Sequence, residues 1–112
     1  MKYKENLIKY FKVFSNKDID TLSEMFSDNV QLKDWNIFAS GKEEVVTANK
    51  GIFDSVNSIK VTPVNFYSNS DTSYCVHISI LINGEEELNV IDVIEFDNTG
   101  LIQSVSAFIL GD

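Results

Sequence analysis

Tyr3, Leu7, Tyr10, Phe11 and Phe14 recur at the spacing that stacks side chains on one face of a helix, so the chain opens with a core-facing helix over about residues 3–14. Asn16 and Lys17 break the pattern. Asp18 then caps a second helix in which Ile19, Leu22, Met25 and Phe26 share a face, ending near Ser27 and Asp28. Ser40 and Glu43 have the spacing of a capping box and open a third helix that carries Val45, Val46, Ile52 and Phe53 inward. After Val56 the period changes to two and β-branched and aromatic residues dominate, which predicts strands over about 58–68, 72–82, 86–97 and 101–110. A short early strand over 30–34 is also predicted.

Turn chemistry joins these strands into a meander. Asn83-Gly84 is the residue pair that a two-residue hairpin with positive φ at both positions demands. Asn69-Ser70-Asp71 and Asn98-Thr99-Gly100 supply the other two turns. Pro63 cannot donate to a ladder, so it predicts a bulge or an edge position. The whole reads as a single α+β domain over 1–112, with three N-terminal helices packed on a curved, mostly antiparallel sheet.

Charge narrows the function. Nine Lys and no Arg stand against 17 acidic residues, a formal net charge of −8. That disfavours nucleic acid and anionic membranes, which need a basic footprint. Without Arg there is no bidentate clamp for phosphate or carboxylate, so a neutral, largely apolar small molecule is the expected ligand. Cys75 is the lone cysteine, which forbids an intrachain disulfide and leaves a cysteine-based zinc cage incomplete. Residues 1–10 lack the apolar run of a signal peptide and no later run is long enough to span a bilayer, so the cytoplasm is the expected compartment.

Three polar residues fall where the periodicity calls for apolar ones. Tyr10 lies on the apolar face of the first helix. Asp34 continues the row Val30, Leu32 of the early strand, and Asp92 is the one polar member of the row Leu88, Val90, Asp92, Ile94, Phe96. Ionised carboxyls are costly to desolvate, so acids on core-facing positions point to a site. Competing structural roles exist for each: a core tyrosine with its hydroxyl on a backbone carbonyl, a strand-end turn at Asp34-Trp35-Asn36, and a pocket wall without chemistry at Asp92. The opposite face of the Asp92 strand is itself partly apolar, which predicts cover by a second subunit.

Two stretches carry a resemblance over nearly the whole chain. One runs from Tyr10-Phe11 through Asn16-Lys17-Asp18-Ile19-Asp20-Thr21-Leu22 to Met25-Phe26-Ser27-Asp28-Asn29-Val30 and Asp34; the other is Ile91-Asp92-Val93-Ile94-Glu95-Phe96-Asp97-Asn98-Thr99-Gly100-Leu101-Ile102, and Ser40-Gly41-Lys42-Glu43 adds to them. They resemble the cone-shaped nuclear transport factor 2-like proteins, within them the ketosteroid isomerase and SnoaL-like polyketide cyclase group. The resemblance implies Tyr10 as an oxyanion-hole tyrosine, Asp34 as general base and Asp92 as the protonated acid that assists the tyrosine. Trp35 stands where the relatives commonly carry proline.

That chemistry is cofactor-independent and metal-free. A carboxylate at Asp34 would remove a proton beside a carbonyl and return it to another carbon, while Tyr10 and a neutral Asp92 would donate to the oxygen that gains charge. Asp92 should then lie in apolar surroundings and Asp34 in wetter ones. Phe14, Trp35, Phe38, Val90 and Ile94 are the expected pocket lining. A non-catalytic binding or dimerisation domain is the first alternative. A hydratase or dehydratase is the second, and it requires His77 to face the pocket beside Tyr10. An epoxide hydrolase of the Asp-Arg-Asp type is excluded by the missing arginine.

Overall fold

The computed structural model describes residues 1–111, in the order α1 (Lys4–Ser15), α2 (Ile19–Met25), β1 (Phe26–Lys33), β2 (Phe38–Ser40), α3 (Lys42–Ser55), β3 (Ile59–Ser68), β4 (Ser73–Ile82), β5 (Glu86–Phe96) and β6 (Ile102–Ile109). Three helices pack against one six-stranded sheet of order β2-β1-β6-β5-β4-β3. Every pair is antiparallel except β1 with β6, which run parallel. The four long strands fall within a residue of their predicted ends.

The helices form for the reasons the pattern gave. Leu7, Tyr10, Phe11 and Val13 are buried along α1, and the Asp18 carboxylate accepts the Thr21 backbone N–H at 3.2 Å to start α2. The boundary after α2 differs from expectation: the helix stops at Met25, and Phe26 begins β1 in extended conformation, paired with Ile102 and almost fully buried. Burial of that ring against the last strand outweighs one more turn of helix. The capping box does not form either. Ser40 is held in β2 opposite Gln31, Gly41 takes the N-cap position with φ +89°, and Glu44, not Glu43, accepts the Ser40 N–H at 3.2 Å.

The hairpin turn between β4 and β5 has φ +54° at Asn83 and +69° at Gly84, as its residues require, but Ile82 pairs with Glu86, so the loop holds three residues and not two. The Asn83 side-chain oxygen also accepts the backbone N–H groups of Asn57 and Ser58 at 2.7 and 3.1 Å, which ties this hairpin to the connection after α3. Pro63 lies on the edge strand β3 beside a register shift between Pro63 and Asn65. At one end of the helix–sheet interface Tyr3, Tyr74 and Phe96 interlock: the Phe96 ring is 4.8 Å from Tyr3 and 5.7 Å from Tyr74. The Tyr74 hydroxyl accepts the Tyr3 N–H at 2.8 Å and donates to the Asp71 carbonyl at 2.7 Å. That end is packed solid, so the hollow left by the curved sheet opens at the other. Among the described residues no helix is long and apolar enough to cross a membrane.

Candidate functional site

The hollow is a cavity of about 350 Å³ walled by α1, α3, the β1–β2 connection and the inner faces of β3 to β6. That is near the lower end of the roughly 300–1,000 Å³ usual for small-molecule sites, room for a ligand of a few rings. Its walls are mostly aliphatic and aromatic, and its polar groups are few. Tyr10, Asp34 and Asp92 all line it, although they lie far apart in the chain.

Asp92 arrives there by alternation along β5. Its cross-strand partners are Val76 on β4 and Ala107 on β6, and its neighbours in the row are Val90 and Ile94. Val76, Val90 and Ile94 are essentially fully buried, and Asp92 itself is only 6 % exposed. Burial pushes its carboxyl up to about 7, helped by the negative charge of Asp34, so near neutrality a large share of it carries a proton. No hydrogen bond contributes to that shift. A buried polar group without a protein partner costs about 1–3 kcal/mol, whereas valine here would stabilise the sheet. The acid is a local loss that packing does not explain.

Tyr10 faces the cavity from the middle of α1, its ring held 5.4 Å from Phe11, 6.2 Å from Phe26 and 6.3 Å from Phe14. Burial first, and then the Asp92 charge, hold the phenol proton far more tightly than usual. Tyr10 is therefore a donor. No polar atom is left both sealed from solvent and unpartnered among the described residues, so the Tyr10 hydroxyl and the Asp92 carboxyl open on the cavity.

Asp34 follows the last residue of β1 at the cavity rim and is half-buried. Its Oδ1 accepts the backbone N–H groups of Asn36 and Ile37, both at 2.7 Å, and its own N–H donates to the Ile37 carbonyl at 2.9 Å. The strand-end turn and the cavity position thus coexist: one carboxyl oxygen holds the turn, and the other is not engaged by it. The turn also sets Trp35 at the opening, where it is 45 % exposed.

Of the five residues expected to line the pocket, Phe14, Trp35 and Val90 do so. Phe38 does not. It pairs with Lys33 and shares its outward face, 69 % exposed over a shallow surface groove, while the next residue, Ala39, pairs with Leu32 on the inside. Ile94 does not either: it faces inward but lies one step past Asp92 toward the solid end, sealed between Tyr74 and Val105. His77 is on the other face of the sheet, 3.1 Å from the Asn89 side chain, so the hydration route loses the histidine it required beside Tyr10. Among the described residues no three His, Cys, Asp or Glu side chains converge as a metal site.

Sequence reasoning missed Asn49. It sits one turn after Val45 and one before Phe53, on the buried face of α3, 2 % exposed and lining the cavity. Its signal was the same as that of Tyr10, a polar residue in an apolar row.

No family model and no curated protein matches the chain. Solved structures do match it. A protein of Agrobacterium tumefaciens assigned as an isomerase of the SnoaL-like family superposes with a TM-score of 0.83 at 11% identity, covering 99% of this chain and 100% of that one. The chain has the nuclear transport factor 2-like fold. A Kribbella flavida protein assigned as a ketosteroid isomerase has a TM-score of 0.83 at 15% identity, over 99% of this chain and 79% of that one. SalBIII, an epoxide hydrolase/cyclase-like enzyme with a role in pyran ring formation in the polyether salinomycin, has a TM-score of 0.77 at 20% identity, over 97% and 91%. At such identities the likeness is one of fold.

Proposed function

We propose that this protein catalyses cofactor-independent proton transfer beside a carbonyl, as an isomerase or cyclase acting on a neutral, apolar cyclic or polyketide-like ketone. The observation that carries the reading is Asp92: a buried, unpartnered carboxyl that favours its proton, in the same cavity as a phenol and a second carboxylate. Asp34 takes the proton from the carbon next to the carbonyl, and the electrons of that C–H bond move onto the carbonyl oxygen. Tyr10 and neutral Asp92 donate hydrogen bonds to the oxygen while it carries charge. Asp34 then returns the proton to a different carbon and is regenerated. Among the described residues no lysine lines the cavity, which supports a neutral substrate over an anionic one. Isomerase and cyclase relatives of the same fold support the class of chemistry.

The test is turnover of a bicyclic β,γ-unsaturated ketone, followed by the ultraviolet absorbance of the conjugated product. Wild type converts it, and Asp34→Asn binds it without converting it. Equal turnover by Asp34→Asn removes Asp34 as base.

A second reading has an observation of its own. Asp34 Oδ1 is committed to two backbone N–H groups, which restrains a side chain that must swing between two carbons. This favours a binding domain that holds the same ligand without chemistry, and binding across a ketone panel with no proton exchange would support it. Under either reading we propose a homodimer packed through the outer sheet face, where Ile91, Val93 and Phe108 form an apolar strip with Phe108 58 % exposed. Sedimentation of Phe108→Glu as a monomer beside a dimeric wild type tests it.

A further inference from the structure

Asn49 has unspent hydrogen-bonding capacity inside the cavity. Its amide nitrogen donates to the Val45 carbonyl at 2.9 Å, a bond within α3. An asparagine side chain carries a second N–H and a carbonyl oxygen with two lone pairs, and neither has a protein partner among the described residues. Because no sealed polar atom is left without a partner among the described residues, the carbonyl oxygen, which has none, opens on the cavity the residue lines. The bond to Val45 does not explain the residue: such back-bonds form equally on solvent-facing helix surfaces, and leucine would fill this buried site better.

Asn49 reaches the cavity from α3, whereas Tyr10 reaches it from α1 and Asp92 from β5. One turn along α1 from Tyr10, Phe14 packs edge-on against Phe53 with ring centroids 4.9 Å apart, and Phe53 is one turn along α3 from Asn49. The ring contact joins the two helix walls that carry Tyr10 and Asn49. We propose that Asn49 is a second ligand anchor, so that the ligand is bifunctional: one oxygen goes to Tyr10 and Asp92, and a second hydroxyl or carbonyl oxygen elsewhere on its rings meets the Asn49 amide. The inference rests on the ligand site described under the proposed function, but on none of its chemistry.

The probes are 2-naphthol, which offers one oxygen on a flat apolar ring pair, and its 6-hydroxy and 7-hydroxy derivatives, which offer two. Their affinities are read from naphthol fluorescence. The wild-type protein should bind at least one diol about tenfold tighter than 2-naphthol, the ordinary worth of one net hydrogen bond in a dry site. Asn49→Leu should bring the diol to the affinity of 2-naphthol while leaving 2-naphthol unchanged. Asn49→Thr, which restores a hydroxyl, should recover part of the preference. Equal wild-type affinities for all three, a preference that persists in Asn49→Leu, or no binding of any naphthol would each overturn the inference. Discrimination through Asn49 without turnover of any ketone would keep the anchor and remove the proton-transfer reading. Turnover without discrimination would do the reverse.

Discussion

Asp34, just past the end of β1, and Asp92, on β5, face the same cavity, close enough that negative charge on the first helps hold the proton on the second. One acid lies at the rim with two backbone donors on it; the other lies among valines with none. Burial among aliphatic side chains favours the proton on Asp92.

The first consequence is a dependence of stability on pH. Native Asp92 binds its proton more tightly than the unfolded chain does, so between about pH 4 and 7 the native state holds the extra proton and this group's contribution falls as pH rises. The interval from 3.8 to about 7 converts to at most roughly 4 kcal/mol. Asp92→Asn should match wild type near pH 4 and exceed it by a few kcal/mol above pH 7, read as midpoints of urea unfolding. A difference that does not change with pH would contradict the buried acid.

Activity should follow the same proton. With neutral Asp92 as donor, kcat/KM for a ketone substrate falls as pH rises through about 7, and Asp92→Asn removes that limb. A profile flat from pH 6 to 9 in the wild type would rule out Asp92 as the donor.

Tyr10→Phe keeps the ring contacts with Phe11, Phe14 and Phe26 and deletes one cavity-facing hydroxyl. Losing one donor to a developing oxyanion costs about 10²–10³ in kcat. Steady-state kinetics should show that loss with KM and melting temperature nearly unchanged.

At Asp34 two substitutions separate the turn from the chemistry. Asparagine keeps an oxygen for the Asn36 and Ile37 N–H groups and loses the base; alanine loses both. Both variants should lack turnover, but only Asp34→Ala should be less stable, by about 1 kcal/mol.

Asn83→Ala should cost about 1–3 kcal/mol, because it removes the acceptor for the Asn57 and Ser58 N–H groups and puts a side chain ill suited to φ +54° into the turn. Thermal unfolding measures it.

Local rules made most of this legible. The Asn83-Gly84 turn and the rows of β5 follow from backbone geometry that few other residues satisfy, so Asp92 could be placed on its face from sequence. Depth along a row is set by tertiary packing, which is why Ile94 shares the face of Asp92 and yet lies outside the cavity. β2 has three residues, too few to show a period, and without it neither the outward turn of Phe38 nor the loss of the Ser40 cap could be foreseen. The parallel pairing of β1 with β6 joins residues from opposite ends of the chain, and no local pattern encodes it.

That pairing bears on how the protein is made. In the sheet β1 is hydrogen-bonded to the long strands through β6, and β6 also forms one flank of Asp92. Closing so long a loop is slow and costs entropy before any contact repays it. Without residues 102–109 the first strand would keep only β2 as a sheet neighbour and Asp92 would lose Ala107 on one side, so the chamber is complete only once both of these pairings are made.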